Sequence, residues 1–271
     1  MVRSIALFAA AFLAGCSAQS GDGGAAHPTI VSLNPCSDAI LTELAVPGQL
    51  LAISHYSHDP RASSMDLAEA RHFPVTGGTV EEVLALAPDV VVAGSFLQPA
   101  TRNAFERFGI KVATFAPATN VGESLAQVRE LAAIAGQPAQ GEALVGRIEN
   151  ALAQAAPSAT LGPIETLVWQ QGGIVAGQES LMADLLARTG FANHAAAQGL
   201  GQGAYLPLEA LLAEPPQLVL ATGDDRSLAH PALRGLRGVR YERLDPALLY
   251  CGGPTIIRTA GRLAEIWDSV R

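Results

Sequence analysis

Between positions 138 and 156, Leu144, Ile148, Leu152 and Ala155 recur at helical spacing, with Val145 and Ala151 beside them. Pro138 suits a first helical turn, where its missing N–H costs nothing. Pro157 disfavours helix in the residue before it and so marks the end. The pattern predicts one uninterrupted helix, about 28 Å long at 1.5 Å per residue. On either side stands the same unit, at residues 80–93 and 208–221. Glu81 falls over Glu209, Leu84 over Leu212, Ala85 over Ala213, Pro88 over Pro216, Val91 over Val219 and Ala93 over Ala221. Each copy reads as a short amphipathic helix, a proline turn and a continuous apolar strand, the pattern of a parallel sheet covered on both faces. An internal repeat of this kind sets the architecture: two α/β lobes with parallel sheets, joined by a single long helix, with a ligand cleft between the lobes.

Further strands are expected at 29–33, 50–54, 90–93 and 111–115 in the first lobe, and at 165–169, 218–221 and 239–244 in the second. Helices are expected at 39–45 (capped by Ser37 or Asp38), 80–87, 101–108 and 123–135. Others are expected at 180–189 (capped by Ser180) and from Pro254 onward, with Ile257, Leu263 and Trp267 on the apolar face of the last. This alternation argues α/β. The first residues stand outside the fold. Arg3 and the apolar stretch 5–14 make a secretory signal, since a bilayer span takes about 20 residues. The stretch ends in Leu13-Ala14-Gly15-Cys16, similar to a bacterial lipobox, which marks Cys16 for lipid attachment. Several acyl chains hold a protein stably on a membrane, so the expected location is the periplasm, lipid-anchored to a membrane. The division is 1–16 lipoprotein signal peptide, 17–28 flexible tether with a solvated His27, 29–137 first lobe, 138–156 interlobe helix and 157–271 second lobe.

Composition narrows the function. The chain carries a net charge of −8, which argues against nucleic acid as partner. Aromatics are 5% of residues, so those at loop mouths carry more weight than usual. Walker, dinucleotide, hydrolase-elbow and zincin motifs are absent from the sequence. In open parallel sheets, ligands bind beyond the carboxyl ends of the strands. There the sequence places the candidate cleft residues Asn34, Cys36, His55, Tyr56, His58, Phe96, Gln171, Tyr250 and Cys251. His55 and His58 bracket Tyr56. They read as ligand contacts, metal ligands or solvated histidines, and an H-x-x-H pair alone falls short of the three or four ligands a zinc site needs. Tyr56 reads as a flat wall against a large planar ligand. With Cys16 assigned to lipid, Cys36 and Cys251 are left to form a disulfide, supply thiolate ligands or stay free and buried. A Cys–His nucleophile, Cys36 with His55 or His58, lacks an evident orienting carboxylate or oxyanion hole. No catalytic residue, resident cofactor or metal site is assigned.

From Thr29 to the C-terminus the chain resembles the periplasmic substrate-binding proteins of ABC importers for vitamin B12, haem and iron–siderophore complexes. The residues that carry the resemblance are Ile30-Val31-Ser32-Leu33-Asn34-Pro35, Tyr56 with Pro60, Val83-Leu84-Ala85-Leu86-Ala87-Pro88-Asp89-Val90-Val91-Val92, Gly109-Ile110-Lys111-Val112 and Gly177-Gln178-Glu179-Ser180. The resemblance implies two α/β lobes joined by one long helix. It also implies a non-enzymatic, monomeric binding lipoprotein that delivers a bulky metal complex. Glu81 and Glu209 would be the surface carboxylates that engage arginines of the permease. B12 binders have cleft tryptophans, whereas this chain offers Gly77-Gly78 near one such place and carries Trp169 in a strand and Trp267 in a helix. A cobalamin-type corrinoid is expected ahead of a ferric siderophore or haem. The alternatives are an exported Cys–His enzyme and a free metal-ion carrier.

Overall fold

The computed structural model describes residues 27–157, 161–223, 236–249 and 251–271. The first sheet has strand order β3-β2-β1-β4-β5, made of β1 (Ile30–Ser32), β2 (Leu50–Ser54), β3 (Val75–Thr76), β4 (Val90–Gly94) and β5 (Lys111–Phe115). Every pairing in it is parallel. Its covering helices are α1 (Pro35–Leu44), α2 (Leu67–Ala70), α3 (Val80–Leu86), α4 (Pro99–Arg107) and α5 (Val121–Ile134). After α6 (Pro138–Ala155) comes the second sheet, of order β11-β10-β6-β7-β9 with β8 on β6. Its strands are β6 (Ile164–Gln170), β7 (Ile174–Ala176), β8 (Phe191–Asn193), β9 (Gln202–Tyr205), β10 (Leu218–Thr222) and β11 (Arg240–Leu244). The accompanying helices are α7 (Leu181–Arg188), α8 (His194–Ala197), α9 (Leu208–Ala213) and α10 (Thr255–Ser269). No helix among the described residues is long and apolar enough to cross a membrane.

The repeated unit becomes α3–β4 in one lobe and α9–β10 in the other. Val90, Val91, Val92, Leu218, Val219 and Leu220 are all buried, as strands flanked on both faces require. Two expectations are corrected. The second sheet is not wholly parallel, because β7 runs antiparallel to both β6 and β9. Gly172 and Gly173 take φ of 76° and 79° in the short turn after β6, a left-handed geometry suited to glycine. The chain therefore folds straight back as a hairpin, which needs no crossover. Helix α1 also begins earlier than expected. Asn34, not Ser37 or Asp38, is its cap: the Asn34 side chain accepts from the Cys36 N–H at 2.9 Å, with Pro35 in the first turn. Asparagine is a strong cap and proline is preset for that turn, so Ser37 and Asp38 are drawn into the helix and buried.

Helix α6 packs against α1, α5 and α10, and its expected apolar face, Leu144, Val145, Ile148, Leu152 and Ala155, is buried. Gly141 lets α6 approach α5, because a Cβ there would run into that of Ala132. Alanine normally favours a helix interior over glycine by about 1 kcal/mol. Here the overpacking cost, about 1–3 kcal/mol, wins. Gly141→Ala should lower the urea midpoint, and a raised midpoint would show that the helices have room. Both tryptophans serve packing: Trp169 is buried in β6, and Trp267 meets Phe191 edge-on at 5.4 Å.

Candidate ligand-binding cleft

The carboxyl ends of the strands in both sheets border one cleft of about 490 Å³. From the first lobe come Asn34, Cys36 and Ser37 at the start of α1, Tyr56 after β2, Phe96 after β4 and the stretch from Phe115 to Thr119 after β5. From the second come Gln170, Ala176, Glu179, Met182, Gln202 and Gly252. A larger hollow of about 870 Å³ lies at the other end of the first lobe, walled by Leu84, Phe108 and Ile110 among others. It is formed by one lobe at the amino ends of β4 and β5, away from the strand ends where ligands of such sheets bind. We therefore centre the site on the smaller cleft.

Cys36 and Cys251 form a disulfide with Cα atoms 5.0 Å apart. The bridge ties the first turn of α1 to the segment leading into α10, and so joins the two lobes beside the cleft wall. It leaves neither sulfur as a thiolate, which removes the Cys–His nucleophile, the thiolate-ligand option and the free-cysteine option. Among the described residues no group of three or more His, Cys, Asp or Glu is arranged to hold a metal ion.

Four of the expected cleft residues, Asn34, Cys36, Tyr56 and Phe96, stand in its lining. Phe96 is 82% exposed and Tyr56 52%, large apolar surfaces left open at the mouth. Of the others, His55, His58, Gln171 and Cys251 sit outside the lining. His58 turns its Nε2 to the Ala70 carbonyl at 2.9 Å, which anchors the loop to α2. His55 places Nδ1 3.3 Å from the Thr76 carbonyl and packs its ring on Tyr56 at 4.1 Å, exposed but outside the cleft lining. Strand β6 continues one residue further than expected, so Gln170 rather than Gln171 reaches the lining. Cys251 is buried and its neighbour Gly252 lines the cleft. Tyr250 and Cys16 lie outside the described residues.

The sequence did not single out Thr119, Gln127, Gln170, Glu179, Met182 or Gln202 as site residues, although all line the cleft. Glu179 carries the one charged side chain among the described lining residues, and it holds φ at 55°. A non-glycine residue in the left-handed region is uncommon and worth a functional hypothesis. The signal that could have found it was the Gly177–Ser180 motif, noted above only for resemblance.

Behind the first-lobe wall lies Asp38, fully buried. Its Oδ2 accepts from the Ser54 N–H at 2.9 Å and the Ser57 hydroxyl at 2.6 Å, while Oδ1 has no hydrogen-bond partner among the described residues. Burial pushes this carboxyl up from 3.8 to about 7, against the opposing pull of the nearby Ser32 hydroxyl and of the hydrogen bonds from Ser57 and Ser54.

Glu81 and Glu209 sit exposed in the first turns of α3 and α9. The structural work near α3 falls to Glu82, whose carboxylate accepts from Thr76 Oγ1 at 2.8 Å and the Gly77 N–H at 2.7 Å. Those bonds hold Glu82 below the usual carboxylate range. Neither Glu81 nor Glu209 makes a side-chain hydrogen bond or ion pair among the described residues.

A family model described as periplasmic binding protein matches residues 30–240. Among solved structures, the periplasmic haem-binding protein RhuT from Roseiflexus sp. RS-1 is 22% identical, with 90% of this chain and 100% of that chain covered, at a TM-score of 0.67. The periplasmic haem-binding protein HutB of Vibrio cholerae is 19% identical over 89% of this chain and 99% of its own, at 0.71. The periplasmic vitamin B12-binding protein BtuF of Vibrio cholerae is 16% identical over 90% and 98%, at 0.67. At these identities the structures establish a shared fold. No curated protein matches the chain.

Proposed function

The chain belongs to the periplasmic binding protein family, and from that premise we propose that it delivers a bulky metal complex to the permease of an ABC importer, held at a membrane by lipid on Cys16. It is a substrate-binding protein, not an enzyme. The observation that carries the ligand class is the cleft itself: two lobes facing one another, exposed Tyr56 and Phe96 at the mouth, and amide and hydroxyl groups within reach at Gln127, Gln170, Gln202 and Thr119. A few placed polar groups on a largely apolar wall are what a concave small-molecule site requires. A corrinoid, whose rim carries amides, fits this lining better than haem or an anionic siderophore, whose carboxylates or catecholates would face Glu179. Two of the similar structures above are haem-binding proteins and the third is a B12-binding protein, so both ligands belong in the test.

Titration with cyanocobalamin, haemin and a ferric catecholate, followed by visible absorption, tests the proposal. Cyanocobalamin should bind most tightly. Tyr56→Ala should weaken it several-fold, since a lost aromatic contact is worth about 1 kcal/mol beyond area. Unchanged affinity in Tyr56→Ala and Phe96→Ala together would place the site elsewhere.

Docking gives a separate expectation. Two exposed carboxylates, unpaired among the described residues and at matching positions of the two lobes, suit bidentate contacts with permease arginines. Glu81→Ala and Glu209→Ala should leave melting temperature and ligand affinity nearly unchanged while each lowers uptake, and the double variant should abolish it. If they instead serve the helix ends, the loss is in stability, about 1 kcal/mol or less, with normal uptake.

A further inference from the structure

The turn that carries Tyr56, His55–His58, has two anchors on α1. Ser54, its cap, gives its N–H to Asp38 Oδ2, and Ser57 gives its hydroxyl to the same oxygen. Ser54 Oγ in turn accepts from the Tyr56 N–H at 3.3 Å. The residues on both sides of the exposed ring are thus fastened to one buried oxygen, while the second oxygen of that carboxyl goes without a partner among the described residues. A buried polar atom left unpaired is costly, and an apolar side chain or an asparagine would avoid the charge. We propose that Asp38 is a positioning residue for the ligand cleft: its carboxylate form holds the Tyr56 turn fast, and protonation on Oδ1 loosens that hold.

Hydrogen bonds to an ionised acceptor are roughly twice as strong as neutral ones, so the charged form grips Ser54 and Ser57 harder. Helix α1 packs on β1, β2, the Tyr56 turn, α5 and α6. Strands β1 and β2 bring only the Ser32 hydroxyl and the Ser54 N–H. The turn brings His55 and His58, engaged with Thr76 and Ala70. From α5, Glu123 bonds Thr119 and Arg129 pairs with Glu142 of α6, while Glu130 is exposed. From α6, Arg147 pairs with Glu43 of α1 and Glu149 is exposed. None of these charges bonds the carboxyl, whose hydrogen-bond neighbours are uncharged, and its raised affinity for a proton comes first from burial. The group therefore changes state near neutral pH.

The inference rests on the cleft being the ligand site, but its first test needs no ligand. Local opening of the turn breaks the Ser54 and Ser57 bonds, which favour the carboxylate, while Asp38 stays buried on α1. The local amide hydrogen exchange of residues 54–58, corrected for intrinsic rates and for global unfolding, should therefore slow several-fold as pH rises from about 5.5 to about 8.5. Asp38→Asn should abolish that step. Ser57→Ala removes a bond that favours the carboxylate and should move the midpoint to higher pH, which a purely structural contact would not do. A flat profile in the wild type, or the same step in Asp38→Asn, overturns the proposal. In the second arm, cyanocobalamin affinity should rise through the same pH range in the wild type and stay level in Asp38→Asn. An exchange step without cyanocobalamin binding at any pH supports the positioning role and overturns only the corrinoid assignment. Affinity that rises equally in both proteins overturns the link from Asp38 to the cleft.

Discussion

Replacing Cys36 and Cys251 together by alanine is expected to cost about 3–5 kcal/mol of stability. The bridge closes a loop with a sequence separation of 215 residues. In the chain-entropy description a longer loop means a larger loss of freedom in the unfolded chain, and so a greater stabilisation when the loop is closed. For a protein of this size that amounts to a fall in melting temperature of roughly 10 °C. Because the unbridged chain unfolds to a more expanded state, the denaturant slope should rise as the midpoint falls. Equilibrium unfolding of the double variant beside the oxidised wild type checks both. An unchanged slope with a loss below about 1 kcal/mol would mean that the bridge does little to the unfolded chain. Thiol counting on unreduced protein should find neither Cys36 nor Cys251.

The second large effect is a fall in stability between mildly acidic and neutral pH. Asp38 has a folded pKa of about 7 against an ordinary 3.8. The folded state thus holds the proton more tightly than the unfolded state. Its contribution is fully present below the unfolded value and is lost as pH rises to the folded one. The loss is on the order of 4 kcal/mol, at about 1.4 kcal/mol per pH unit. The hydrogen-bonded or paired carboxylates Asp59, Glu82, Asp89, Glu123 and Glu142 are all shifted downward. Their contributions run the other way: present above their unfolded values and lost as pH falls through their folded ones. Stability should therefore peak in mildly acidic solution. Asp38→Asn should be more stable than the wild type above neutrality, with the advantage shrinking as pH drops toward 5. A difference between the two proteins that does not vary with pH would exclude Asp38 as its source.

These effects divide along the line between local and tertiary information. The interlobe helix was legible because its apolar period runs unbroken between two prolines, and the repeat was legible because its strands are continuously apolar. The β6–β7 hairpin was not. Gly172 and Gly173 carry no apolar pattern of their own, and it is their left-handed backbone that turns the chain back on itself. The start of α1 was misplaced for a related reason: Asn34, Ser37 and Asp38 are all good caps, and the choice among them depends on which side chain is pulled into the core. Four cleft residues could be read from strand ends, since that rule is topological. Gln127, Glu179 and Gln202 could not, because the facing of the second lobe decides which polar groups converge, and the choice of Gln170 over Gln171 turns on one residue of strand length. The pairing of Cys36 with Cys251 joins positions near opposite ends of the chain, and only the packed lobes bring their Cα atoms to 5.0 Å.

The central claim is that the cleft between the lobes carries a bulky metal complex. Native mass spectrometry of protein isolated from its own periplasm, with a visible absorption spectrum of the same sample, tests it most directly. The expected result is one corrinoid per chain, with a corrinoid spectrum and loss of the bound mass in Tyr56→Ala combined with Phe96→Ala. A bound amino acid, sugar or bare metal ion in place of a coloured complex would contradict it.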